Sequence, residues 1–182
     1  MTIIGLSGSL RAGSFNTALL RAAASLMPDS SQLLVKTIHG IPLYDGDVEA
    51  GSGIPAAVRE LGEAIANANG LLLVTPEYNN SIPGPFKNAI DWLSRIDDLV
   101  IFTGKPVAVI GASPGGFGTL LAQNAWLPVL RTLETRPWFG GRLLVSRAGG
   151  VFNADGQMTD EGTKKKLREF LAGFVGFVQS SR

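Results

Sequence analysis

Ile3-Ile4-Gly5-Leu6-Ser7-Gly8-Ser9-Leu10-Arg11-Ala12-Gly13-Ser14-Phe15-Asn16 is the stretch on which the reading of this chain turns. An apolar strand over Ile3–Ser7 runs into a loop of small hydroxyl residues with one arginine, and a helix follows over Asn16–Met27. Ser14 stands where an N-cap belongs, and Pro28 ends the helix. The first N–H groups of a helix have no partner inside it, and its dipole favours an anion there. Ser9, Ser14 and Asn16 offer hydrogen-bond donors, and Arg11 adds a fixed positive charge. Gly-Lys-Ser/Thr is absent, so this is not a triphosphate P-loop. Gly5 and Gly8 do not fit G-x-G-x-x-G, so it is not a dinucleotide fingerprint. Taken alone, the stretch reads either as a phosphate cradle or as a glycine- and serine-rich turn before a capped helix.

Outward from this start, strands and helices alternate. Leu33–Ile38 reads as a second strand, and a Gly/Pro-rich loop follows over His39–Gly53. Pro55–Asn69 reads as a helix, with Val58, Leu61, Ile65 and Ala68 at helical spacing and Gly70 as its stop. Leu71–Thr75 and Val107–Ala112 are continuous apolar runs, the pattern of parallel strands covered on both faces. Helices are expected over Gly84–Ile96, Gly118–Leu133 and Asp160–Val178, and a last short strand over Leu143–Ser146. Five strands with helices between them predict an α/β doubly wound parallel sheet in one domain, residues 1–182.

Composition narrows the chemistry. Sixteen Lys and Arg against fifteen Asp and Glu give a net charge of +1, which points neither to nucleic acid nor to an anionic membrane. With no cysteine, disulfides, thiolate metal sites and a Cys nucleophile are excluded. The single histidine, His39, builds no metal cluster and reads as a surface or loop-anchoring residue. No apolar run approaches the roughly 20 residues of a membrane span, and no signal peptide precedes the first strand. A cytoplasmic protein is the expectation. Lys164-Lys165-Lys166 reads as a solvated helix face.

In a parallel sheet the loops after strands one, three and four lie along one edge, where ligands collect. The second of them is Thr75-Pro76-Glu77-Tyr78-Asn79-Asn80-Ser81-Ile82-Pro83-Gly84-Pro85. The third is Ala112-Ser113-Pro114-Gly115-Gly116-Phe117-Gly118. Either loop alone is explained by turn formation; the three together suit flavin mononucleotide (FMN). The first loop takes the phosphate, and Tyr78 packs on the ring. Backbone N–H groups around Asn79–Ser81 and Gly115–Gly116 reach the polar atoms of the ring, with glycine wherever the backbone must approach without a Cβ.

Three motifs carry a resemblance across nearly the whole chain: Gly8-Ser9-Leu10-Arg11-x-x-Ser14-x-Asn16; Pro76-Glu77-Tyr78-Asn79-x-Ser81-x-Pro83-Gly84-x-x-Lys87-Asn88-Ala89-x-Asp91-Trp92; and Ser113-Pro114-Gly115-Gly116-x-Gly118. They resemble the NADPH-dependent FMN reductase family, in particular its quinone and chromate reductase branch. The resemblance implies a flavodoxin-like fold with strand order 2-1-3-4-5. It implies phosphate binding by Ser9, Arg11, Ser14 and Asn16, and ring contacts from Pro76, Glu77, Tyr78 and Asn79. It places Ser113, Gly115, Gly116 and Phe117 near the other edge of the ring. It also implies homodimers, often paired into tetramers, with the helix after the Pro-Glu-Tyr-Asn motif at the interface. The apolar residues Phe86, Ile90 and Leu93 of that helix fit either an interface or ordinary core.

The expected reaction is a hydride relay from NADPH or NADH through FMN to a small-molecule acceptor: a quinone, an azo compound, free flavin or chromate. Such a relay needs placement and tuning rather than a dedicated acid, base or nucleophile, so no catalytic side chain and no metal are assigned. Tyr78 and Phe117 are expected to shape the stacking surface. One alternative is an FMN electron carrier without nicotinamide turnover, although such carriers are usually strongly acidic. A binding module that keeps the fold without the cofactor is another.

Overall fold

The structure, a computed structural model, describes residues 1–181. The three densest apolar runs form the middle of one parallel sheet: β1 (Thr2–Ser7), β3 (Gly70–Val74) and β4 (Pro106–Ala112). β2 (Gln32–Thr37) is the edge beside β1, and β5 (Arg136–Pro137) the edge beside β4, giving the order β2-β1-β3-β4-β5. Ile4 pairs with Leu34 on one side and Leu71 on the other, which fixes the register of the centre.

Side chains alternate along each strand and feed two cores. Ile3, Leu72, Val74 and Ile110 face α1 (Phe15–Ser25) and α6 (Glu161–Gln179), against Leu19, Leu20, Phe170 and Phe174. Ile4, Leu6, Leu71 and Leu73 face α3 (Ala56–Ala66), α4 (Gly84–Leu93) and α5 (Leu120–Thr132), against Val58, Ile65, Phe86 and Trp126. Both layers are needed because an apolar sheet exposed on either face would forfeit about 1.5–3 kcal/mol for each large side chain left in water. Phe86, Ile90 and Leu93 are buried within the chain's own core, so they are not available to a second copy.

The structure departs from the sequence reading in two places. The expected fifth strand over Leu143–Ser146 is only part of the sheet edge. β5 and a further strand, β6 (Leu144–Val145), both pair with β4, making six strands. Pro137 has no N–H to continue a ladder. Beyond it, Gly140 and Gly141 press on the Trp138 indole, where a Cβ would come within 2.5 and 2.7 Å, so the backbone leaves the sheet to wrap this ring. The second departure is a helix inside the 39–53 loop, α2 (Gly46–Ser52), capped by Asp45 Oδ1, which accepts from Asp47 N at 2.9 Å. None of its residues is buried, so it has no apolar period to read. Side chains hold this loop against α4. Tyr44 OH donates to Glu49 Oε2 at 2.8 Å, Arg95 Nε donates to Glu49 Oε1 at 3.0 Å, and Trp92 Nε1 donates to the Pro42 carbonyl at 3.0 Å. The Tyr44 hydroxyl first, and then Arg95, hold the Glu49 carboxyl below its ordinary range.

Candidate functional site

The chain leaves β1 for β2 on one side and later returns to place β3 on the other, so the carboxyl ends of β1 and β3 border a switch in strand order. The sheet ladder continues into all three loops there. Gly8 N donates to Val74 O at 3.0 Å, Thr75 N to Ile110 O at 2.8 Å, and Ser113 N to Val145 O at 2.9 Å. Gly8 is required by the fold itself, because a Cβ there would collide with the Phe86 ring.

In the first loop Ser14 is the N-cap of α1, as its position suggested. Its Oγ accepts from Asn16 N at 3.2 Å and Thr17 N at 3.3 Å, which leaves the hydroxyl hydrogen to donate outward. Ser9 Oγ accepts from Arg11 N at 3.3 Å and likewise keeps its own hydrogen. No acidic residue stands in the first turn of α1, and among the described residues Arg11 makes no ion pair. Neither the helix start nor the guanidinium is therefore neutralised by an ion pair among the described residues. The Asn16 side chain is committed elsewhere: Nδ2 donates to Ala112 O, and Oδ1 accepts from Ala112 N, both at 2.9 Å. It ties α1 to the end of β4, and only its second Nδ2 hydrogen remains to give. His39 anchors the loop from outside, with Nε2 at 3.2 Å from Leu10 O and Nδ1 at 3.1 Å from Thr37 Oγ1.

The second loop is a tight hairpin. Tyr78 and Ser81 exchange two backbone hydrogen bonds at 3.2 and 3.1 Å. Asn79 and Asn80 between them have φ of 49° and 63°, the left-handed pair that a type I′ turn requires and asparagine tolerates. Their N–H groups meet no protein acceptor among the described residues. Tyr78 is 47% exposed at the side of the turn. Glu77, just before it, accepts at Oε2 from Leu121 N at 2.8 Å and Ala122 N at 2.9 Å, in the first turn of α5.

The third loop is strapped from behind: Arg147 N donates to Gly115 O at 2.9 Å and Ala148 N to Ser113 O at 3.0 Å. Gly118 must be glycine: its φ is +63°, and a Cβ there would stand 3.0 Å from Leu144 Cβ. Gly115 and Gly116 have no such reason. Neither has a positive φ; a Cβ on Gly115 would meet nothing nearer than Ser113 Oγ at 3.7 Å, and one on Gly116 nothing within 4 Å. Phe117 beside them is 78% exposed.

Ser9, Arg11, Ser14, Asn16, Pro76, Glu77, Tyr78 and Ser113 line one cleft, joined by Phe15, Ala112 and Pro114, which sequence reasoning missed. Asn79, Gly115, Gly116 and Phe117 do not line it; they stand on the loops around it. The cleft's volume is about 60 Å³, enough for a group of phosphate size and too small to take in a ring system as well. A mononucleotide with a terminal phosphate and a flat ring fits that division. Of the hollows of about 250–320 Å³ elsewhere, one gathers Gln123, Asn124 and Arg142 and another Arg21, Gln157 and Lys164, but neither opens at the β1/β3 switch. Among the described residues no group of acidic residues and histidine is placed to hold a metal ion, and no helix is long and apolar enough to cross a membrane.

A parallel sheet of this order, with its cleft at the β1/β3 switch, defines the flavodoxin-like class of mononucleotide-binding proteins. The sequence profile of the NADPH-dependent FMN reductases matches residues 1–150, and the chain belongs to that family. It is 41% identical over 180 residues to an NAD(P)H-dependent FMN reductase of Pseudomonas aeruginosa, covering 99% of this chain and 96% of that one. It is 39% identical over 184 residues to a quinone reductase of Escherichia coli, covering 98% and 96%. Among solved structures, FerB, a flavoenzyme NAD(P)H:(acceptor) oxidoreductase of Paracoccus denitrificans, superposes with a TM-score of 0.87 at 34% identity, covering 99% and 98%. The chain is an oxidoreductase with FMN as cofactor and a reduced nicotinamide as electron donor.

Proposed function

We propose that this protein, as one domain of residues 1–182, reduces quinones with electrons from NADPH or NADH, and that azo compounds, free flavin and chromate are further acceptors at the same open site. The observation that carries the reading is the uncompensated positive end of α1: two free hydroxyl hydrogens, on Ser9 and Ser14, beside Arg11, with no acidic residue in the first turn. Arg11 and the helix start hold the phosphate. FMN, when bound, supplies the hydride relay between nicotinamide and acceptor. The N–H groups of Asn79 and Asn80 donate to the polar edge of its ring, and Gly115 and Gly116 let the third loop approach the ring closely. Tyr78 and Phe117 give the nicotinamide and the acceptor flat surfaces to stack on, and Pro76 and Ser113 close the cleft between them. The relatives named as FMN and quinone reductases support the acceptor class.

The active form in this reading is a homodimer or homotetramer in the cytoplasm. With Phe86, Ile90 and Leu93 used up in the core, a second copy would meet α4 through Lys87, Asp91 and Ser94, which line a hollow of about 300 Å³ shared with Pro128 and Thr132 of α5.

The test is a steady-state comparison of NADPH and NADH against quinone, azo, flavin and chromate acceptors, run beside Arg11→Ala. Fast quinone turnover, with FMN affinity reduced about tenfold in the variant, is expected. FMN-loaded protein that oxidises neither nicotinamide would instead be an electron carrier. Undiminished FMN affinity in Arg11→Ala would remove the phosphate from the first loop.

A further inference from the structure

We propose that Glu77 is a positioning residue, a latch whose carboxylate sets the spacing between the two loops on either side of the flavin ring. The inference rests on the reading that the ring lies between those loops. Helix α5 starts without a cap of its own: Thr119 at its N-cap position makes no side-chain capping bond, and its Oγ1 is engaged by Gln123 Nε2 at 3.2 Å. Glu77 fills that role from 44 residues away, taking Leu121 N and Ala122 N on a single oxygen at 2.8 and 2.9 Å. A carboxylate is favoured there by the helix dipole and by the charge-assisted bonds. Among the described residues these are the hydrogen bonds that join the hairpin loop 76–83 to the segment 113–122. Elsewhere the third loop is fastened to Val145, Arg147 and Ala148 and, at its first residue Ala112, to the Asn16 amide.

Tyr78 follows Glu77 directly, and its turn is closed by two backbone hydrogen bonds. Moving the latch therefore moves the tyrosine face as a unit against the Gly115–Gly116 edge. Hydride transfer is sensitive to such displacement, because a misplacement of about 1 Å can cost on the order of 100-fold in rate. Gln keeps a carbonyl oxygen of the same reach, able to accept both N–H groups. Ala keeps neither the oxygen nor the reach, and Asp is one methylene short.

The experiment measures the single-turnover rate of flavin reduction at saturating NADPH in FMN-saturated holoenzyme, together with exchange of the Leu121 and Ala122 amide hydrogens. Glu77→Ala is expected to slow reduction at least tenfold and to speed exchange at both amides, with Glu77→Gln recovering most of the rate. If Glu77→Ala does not fold, Glu77→Asp takes its place with the same expectation. A variant that loses thermal stability but reduces its flavin at the wild-type rate makes Glu77 a helix cap alone and overturns the proposal. Glu77→Gln as slow as Glu77→Ala also overturns it, since charge rather than the latch would then matter. Failure of the underlying site shows separately, as normal FMN affinity in Arg11→Ala.

Discussion

The loops after β1 and β4 both contain glycine, for opposite reasons. Gly8 answers to the interior, where the fully buried Phe86 ring lies against its Cα. Gly115 and Gly116 answer to no packing demand in the folded chain, since a Cβ would meet nothing at Gly116 and only an ordinary contact with Ser113 Oγ at 3.7 Å at Gly115. A glycine that packing demands is a statement about the core. A glycine that packing does not demand, on the edge where ligands gather, leaves the backbone open to close approach.

Substitution should separate the two kinds. Gly8→Ala drives a methyl group into an aromatic ring and should cost at least about 1–3 kcal/mol of stability, the range for overpacking a tight core. Urea unfolding of the apoprotein measures it, and a loss below about 0.5 kcal/mol would mean that the β1 loop has slack the structure does not show. Gly116→Val should leave unfolding within about 0.5 kcal/mol of wild type. Its FMN dissociation constant should rise about tenfold, equivalent to about 1.4 kcal/mol; an unchanged constant in a flavin titration erases the contrast.

Ser14→Asp sharpens the comparison within the first loop. Aspartate caps a helix as well as serine does, so the melting temperature of the apoprotein should hold. Its charge repels a phosphate, so FMN affinity should drop; equal affinity would show that the cap and the anion site are separate. The smallest effect belongs to the 39–53 loop, none of whose residues line the cleft. The Glu49 carboxyl is held below its ordinary value by Tyr44 and Arg95, so its stabilisation is full above the unfolded value near 4.5 and is lost as pH falls through the lower folded value. Melting curves taken down from pH 4.5 should therefore fall more steeply for wild type than for Glu49→Gln, and parallel curves would show that the Glu49 contacts do not matter to stability.

Much of the fold is legible in the sequence because its signals are local. The apolar runs of β1, β3 and β4 need no partner to be seen, and the spacing of Val58, Leu61 and Ile65 marks the buried side of α3, with Ala68 buried just beyond its end. Ser14 is legible as a cap because a cap speaks to residues two and three places on. Helix α2 is silent for lack of any buried residue, and β5 because two residues with a proline carry no strand pattern. The candidate cleft divides in the same way. Residue types in the three loops name its lining, but the commitments of Asn16 to Ala112 and of Glu77 to α5 span 96 and 44–45 residues, and nothing adjacent in the chain announces them.

The Asn16 amide also makes the start of α1 depend on a distant part of the chain. Its buried head is satisfied only by the Ala112 backbone, 96 residues downstream, and a buried amide left unpaired costs about 1–3 kcal/mol. The start of α1 is therefore fixed by chain as far downstream as Ala112, and without β4 the Asn16 head has neither of its two partners.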